Sequence, residues 1–191
     1  MDAAAIIIPV VIVVVLVVLF LLYVLVNYNS LKALRARVDE AWSDIEAQMG
    51  HRAELVPQLV ETVQGHASHE KALLRSVTDA RAETLQATSP GQATVAETHM
   101  QQALRSMYST AEGYPALNAG PQFLQLQGDI SETAEKIQAS RRFYNGGVRE
   151  FNAKRKVFPG TLFAKRPGFE EREFFEVADA SAKAEPPRIQ F

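Results

Sequence analysis

The chain contains no cysteine. It therefore has no disulfide framework, which fits a reducing compartment. It also lacks a basic excess: 20 Lys and Arg stand against 22 Asp and Glu, for a net charge of -2. A nucleic-acid partner would usually show a basic face, so this balance argues against one. No histidine is preceded by Glu three positions earlier, which excludes the Glu-x-x-His pairs of a di-iron bundle. The order H-E-x-x-H of a zinc hydrolase is missing as well. No alternating strand pattern is present, and no catalytic constellation emerges. Charge is absent altogether from Ala3 to Val26.

That uncharged stretch is rich in Val, Ile and Leu. As a helix rising ~1.5 Å per residue, its 24 or so residues span roughly 36 Å, enough to cross a hydrocarbon core of ~30 Å. Pro9 falls near its outer end. A cleavable signal peptide would need a basic leader, a shorter apolar core and a small-x-small cleavage site. Here only Asp2 precedes the core, which closes on Tyr23-Val24-Leu25-Val26-Asn27-Tyr28, so residues 3–26 are expected to be a transmembrane anchor. Lys32, Arg35 and Arg37 follow it and no Lys or Arg precedes it. Basic flanks stay inside, so the N-terminus is expected outside and the following domain on the cytoplasmic face of the inner membrane.

Residues 27–158 show helical periodicity throughout. Leu31, Leu34, Val38, Trp42, Ile45, Met49, Val56, Leu59 and Val63 recur in steps of three and four, the seam of a helix packed on other helices. Arg52 interrupts the series, and Pro57 is expected to kink this helix without ending it. Gly65 is a candidate stop. A second helix is expected over about 68–87, with Ser68 as a weak cap and Leu73, Leu74, Val77, Ala80 and Leu85 as its stripe. Residues 88–92 read as a loop. The third helix, about 93–112, carries Ala96, Met100, Leu104, Met107, Tyr108 and Ala111. Pro121 suits the first position of a long fourth helix, whose seam is Phe123, Leu126, Ile130, Ala134, Ile137, Tyr144, Val148, Phe151 and Phe158. Gly146-Gly147 inside it costs roughly 2 kcal/mol against alanine, so a close neighbouring helix or a bend is expected there. The fold class is all-α: a transmembrane helix followed by an up-and-down four-helix bundle with long first and last helices. Residues 159–191 form a C-terminal segment partly packed on the bundle.

Several of these stretches, taken in order, resemble the LemA family. They are Tyr28-Asn29-Ser30-Leu31, Val38-Asp39-Glu40-Ala41-Trp42-Ser43-Asp44-Ile45, Arg52, Leu55 through Val63 around Pro57, and His69-Glu70. Further on come Ile137, Ser140-Arg141-Arg142-Phe143-Tyr144-Asn145, Val148, Phe151-Asn152, Phe158-Pro159 and the closing Pro187, Ile189 and Phe191. The resemblance implies one N-terminal membrane helix, a four-helix bundle and a domain inside the cell. It implies no activity and no cofactor. His66, where that family more often has Tyr, and the low-charge Gln48-Met49-Gly50-His51 depart from its pattern.

Particular residues invite competing readings. His66, His69 and Glu70 form H-x-x-H-E, whose imidazoles share a helical face and would give a metal two ligands. The simpler reading is a solvated or capping pair, since only His51, His99 and scattered carboxylates remain to complete a site. Trp42 is expected as a core anchor whose indole N–H finds an acceptor, rather than as a stacking platform. Arg52, Arg141 and Arg155 at seam positions need partners if buried. They are expected to form a polar network between the first and fourth helices with Asp39, Asp44 and Glu61, completed by Asn145 and Asn152, unless they snorkel outward. Lys154, Arg155 and Lys156 with Phe158 and Phe163 read as membrane-proximal, either capping the bundle or lying on an anionic leaflet. The tail 178–191 is either disordered or docks on this or a neighbouring copy.

Together these features predict a non-enzymatic, membrane-anchored helical scaffold at the cytoplasmic face. Its expected partners are the lipid bilayer, further copies of itself as a homo-oligomer, and a membrane protein. The alternatives are a metal-dependent accessory factor or enzyme using His66, His69 and Glu70, and a membrane signalling adaptor.

Overall fold

The computed structural model describes residues 3–176, with side chains from Ile7 onward. The expectation for the tail 178–191 therefore lies outside the described residues. All regular structure among them is helical: α1 (Ala3–Gln64), α2 (Lys71–Gln86), α3 (Pro90–Ala111), the single turn α4 (Pro115–Asn118), α5 (Pro121–Lys156) and a 3-10 turn at Gly160–Leu162. The chain divides into two units. One comprises residues up to Glu40 with Gly146–Arg172, the other Ala41–Asn145 with the residues from Glu173 on, so α1 and α5 contribute to both.

α1 runs without interruption from the apolar stretch through Pro57 to Gln64, and Gly65 follows its end. The apolar side chains from Ile7 to Val26 are exposed, apart from the half-buried Val24. Among the described residues, α1 is the one helix long and apolar enough to cross a membrane. Beyond Tyr28 the picture inverts. Leu31, Leu34, Val38, Ala41, Ile45, Met49, Val56, Leu59 and Val63 are buried, at the spacing the seam predicts. Ala41 takes the buried position and the neighbouring Trp42 is half-buried.

In the larger unit, Val56, Leu59 and Val63 of α1 pack with Leu74 and Val77 of α2, Met100, Leu104 and Met107 of α3, Leu117 of α4, and Phe123, Leu126 and Ile130 of α5. α2 begins at Lys71 with Glu70 as its N-cap and no side-chain capping bond, so Ser68 has no capping role there. Thr84 is buried on α2 where Leu85 was expected, and Leu85 is exposed. The Thr84 hydroxyl donates to the Ala80 carbonyl at 2.9 Å, which removes the cost of burying it.

Of the 88–92 stretch, Thr88 and Ser89 lie in the connection between α2 and α3, whereas residues 90–92 are already helical. Pro90 starts α3, and the Ser89 hydroxyl caps it by accepting from the Gln92 N–H. The turn-like composition Ser-Pro-Gly marks a helix start here because Pro tolerates the first turn, where its missing N–H would have had no partner.

In the smaller unit Leu31, Leu34 and Val38 of α1, Val148 and Phe151 of α5, and Phe163 and Phe169 beyond α5 are buried. The glycine pair on α5 splits by function. A Cβ on Gly147 would come within 3.1 Å of Val38 Cγ2, whereas one on Gly146 meets nothing within 4 Å. Close approach of α1 thus accounts for Gly147 alone. Gly168 has φ +85, and a Cβ there would strike the Arg35 guanidinium, so this turn favours glycine twice over.

Candidate functional site

Pro57 has no N–H, so the carbonyl of Ala53, one turn earlier on α1, loses its helical donor. Ala53 is fully buried, and an orphaned carbonyl there would be costly. Arg81 of α2 supplies the missing bond: its Nε–H donates to the Ala53 oxygen at 2.8 Å. The defect introduced by one helix is thus repaired by the side chain of another. The sequence marked Pro57 but held no local signal for Arg81, 28 positions away.

Arg52, the residue just before Ala53, has 1% of its surface exposed. It meets Glu97 of α3, equally buried, in a two-pronged ion pair in which Nη1 donates to Oε1 at 3.0 Å and Nη2 donates to Oε2. Gln101 Nε2 donates to the same Oε1 at 2.9 Å. Arg52 is thus paired, as a buried guanidinium must be, yet with an acid of α3 and not with Asp39, Asp44 or Glu61. A signal for Glu97 existed. It sits among Ala93, Ala96, Met100, Ala103, Leu104 and Met107 on the buried stripe of α3, an acid where the helical period calls for an apolar residue.

Two donors near this pair are unsatisfied, the Nε–H of Arg52 and the hydroxyl of Tyr108. Burial pushes the Tyr108 phenol up to about 12, against a smaller opposing pull from Arg52. Both side chains line a groove of about 480 Å3 together with Gln101, Arg105, Ser131 and Gln138. Chemically the groove offers hydrogen-bond donors to an acceptor.

The other arginines have different partners. Arg155 donates from Nε to the Phe169 carbonyl at 2.7 Å and lies 3.7 Å from Glu171. Arg141 is half-buried on α5. Asp39 receives Arg172 at 2.5 Å and Arg35 at 3.6 Å. Asp44 and Glu61 are exposed.

Asn145 and Asn152 hold the chain after α5. Asn152 donates from Nδ2 to the Arg172 carbonyl at 2.8 Å and accepts from the Arg172 N–H at 3.0 Å. Asn145 treats Phe175 the same way, at 3.0 Å in both directions. Each side-chain amide has one acceptor and two donors, so each imitates the paired edge of a β-strand. The Phe175 ring is buried edge-on to Trp42 at 6.0 Å, and Trp42 also packs on Tyr144 at 5.4 Å. The Trp42 indole N–H donates to Glu46 at 2.7 Å. Trp42 therefore packs against aromatic partners while keeping an acceptor one turn along.

Of the residues expected to be membrane-proximal, Lys154 donates to the Ser30 hydroxyl at 2.5 Å and Lys156 pairs with Glu171 at 2.6 Å. The Lys156 contact holds the Glu171 carboxyl below the usual carboxylate range. Phe163 is buried against Tyr28, ring centres 4.9 Å apart, while Phe158 is exposed and stacks on Phe20 at 6.2 Å.

The histidines are dispersed. His66 Nδ1 faces the Thr62 carbonyl at 3.2 Å, His69 is exposed, and Glu70 accepts from the Tyr114 hydroxyl at 3.4 Å. His99 pairs with Glu83 at 2.5 Å and His51 lies 3.9 Å from Glu54. Among the described residues, no three His, Asp or Glu side chains converge as metal ligands would.

No curated protein matches the chain. A family model does, over residues 41–191, beginning within the Val38–Ile45 stretch and leaving Tyr28–Leu31 and the apolar helix outside it. Arg52, Pro57, Asn145 and Asn152, the residues that make the ion pair, the helix defect and the two clamps, all fall inside that match, and the chain belongs to the LemA family.

Proposed function

We propose that this protein is a membrane-anchored helical scaffold, a four-helix bundle tethered by residues 3–26, that acts by binding and not by catalysis. The observation that carries this reading is the run from Ile7 to Val26. Its apolar side chains are exposed, and it continues without a break into a helix whose next apolar positions are buried. Water would penalise that surface heavily at ~25 cal/mol per Å² of apolar area; a bilayer removes the penalty. Lys32, Arg35 and Arg37 after the run support a cytoplasmic domain with the N-terminus outside. Among the described residues, Leu124, Phe143 and Val95 are exposed apolar side chains outside the anchor, and they support self-association through the domain. A membrane-protein partner is the further expected contact.

The test is extraction of the full-length protein. It should resist alkaline carbonate, enter mild detergent, and there have a mass several times that of one chain plus its detergent. Release by carbonate refutes the anchor. A monomeric mass in detergent, confirmed by crosslinking in intact membranes, refutes self-association.

A further inference from the structure

The turns just after α5 carry three exposed apolar side chains: Val157 at 64%, Phe158 at 53% and Leu162 at 56%. We propose that these residues are a second membrane contact, a short non-spanning wedge inserted into the hydrocarbon of the cytoplasmic leaflet beside the anchor. The inference rests on residues 3–26 being in the bilayer.

What carries it is a coincidence of level between two parts of the chain that meet in the smaller unit. On α1 the apolar run ends at Val26, and Asn27, Asn29 and Ser30 follow. On α5 the basic stretch ends at Lys156, and Val157 and Phe158 follow. The two boundaries are joined directly, because Lys154 Nζ bonds the Ser30 hydroxyl. On the apolar side of that junction Phe158 stacks on Phe20, ring planes 21° apart. Phe20 lies seven residues before Asn27, about 10 Å further along the helix axis. Helical side chains also lean toward the N-terminus, which carries its ring further still from the polar boundary. If Phe20 is in hydrocarbon, so is its stacking partner.

On the polar side, the Lys156–Glu171 pair and the exposed Arg166, whose guanidinium lies 5.3 Å from the Phe163 ring centre, occupy headgroup level. Apolar tips flanked by cations with long stems suit an interfacial element.

The test uses the full-length chain, with Trp42→Phe to remove the native tryptophan, in lipid nanodiscs. Three reporters are compared: Phe20→Trp, Phe158→Trp and Leu162→Trp. The quenchers are phospholipid brominated along the acyl chain and aqueous iodide. Insertion predicts that all three lose most of their emission to brominated lipid and little to iodide. Emission from the 158 and 162 reporters lost to iodide, with the 20 reporter still quenched by lipid, overturns the wedge and leaves the anchor standing. The 158 and 162 reporters shielded from both quenchers would mean that protein covers the patch, which also overturns it. A 20 reporter untouched by brominated lipid removes the anchor and the wedge together.

Discussion

The Pro57 defect and its repair by Arg81 yield the sharpest energetic expectation. Replacing Arg81 by Met keeps much of the side chain's apolar stem but removes the donor from the buried Ala53 carbonyl. An orphaned buried acceptor costs about 1–3 kcal/mol, and bonds from charged donors lie toward the upper end. For a chain of this size, a loss of ~2 kcal/mol lowers Tm by roughly 4–8 °C. The same substitution made in a Pro57→Ala background should cost far less. Alanine restores an N–H at position 57, and that N–H can bond to Ala53 along the helix. The coupling energy of the cycle is therefore expected at about 1–2 kcal/mol, well above the scatter of ~0.5 kcal/mol for independent sites. The assay is thermal unfolding of the four detergent-solubilised variants, followed by far-UV circular dichroism. Equal losses from Arg81→Met in both backgrounds would show that Arg81 acts through something other than the proline's missing donor.

Three more expectations follow from the same kind of accounting. Glu97→Ala should destabilise by about 3–5 kcal/mol because it leaves Arg52 charged and buried, while Arg52→Met with Glu97→Leu should recover most or all of that loss; a double variant no better than the single one contradicts this in the same melting experiment. Gly146→Ala should stabilise by up to ~1 kcal/mol through helix propensity, and Gly147→Ala should gain less or nothing, since its methyl meets Val38; equal gains in chemical denaturation would refute the close approach. Tyr108 has its folded pKa raised to about 12 by burial, so the fold favours the neutral phenol. That contribution is whole below pH 10 and fades as pH rises from about 10 through 12. The wild type should therefore lose stability across that window, and Tyr108→Phe should lose measurably less.

The sequence and the structure agree where periodicity governs. Steps of three and four from Leu31 to Val63 identify buried positions because one helical face must leave water. The period is too coarse to separate neighbours, however. It chose Trp42 where Ala41 is buried, and Ala134 where Thr133 is buried with its hydroxyl donating to the Ile130 carbonyl at 2.7 Å. Turn chemistry was ambiguous in the same way, since Ser89-Pro90-Gly91 suits a loop and a capped helix start alike. The polar partners were hidden for a different reason. Arg52 announced that it needed an acid, but pairing depends on which helices touch and at what height, and Glu97 is 45 positions away. Nothing periodic marks an extended segment, so Asn145 and Asn152 were legible as polar seam residues and illegible as backbone clamps.

Those clamps explain why the stretch after α5 follows a defined course without secondary structure of its own. Its residues from Glu170 to Glu176 have no helical or strand pairing, so their backbone groups need side-chain partners or water. Two asparagines seven residues apart on a helix are separated by about 10.5 Å along its axis. Residues three apart on an extended chain, such as Arg172 and Phe175, are separated by about 10 Å. The agreement lets one face of one helix satisfy both positions. Asn is better suited than Asp to this task, because a carboxylate accepts from the N–H but cannot donate to the C=O. Each amide is thus a template for one residue of strand, and the segment keeps its place only while both a donor and an acceptor are offered.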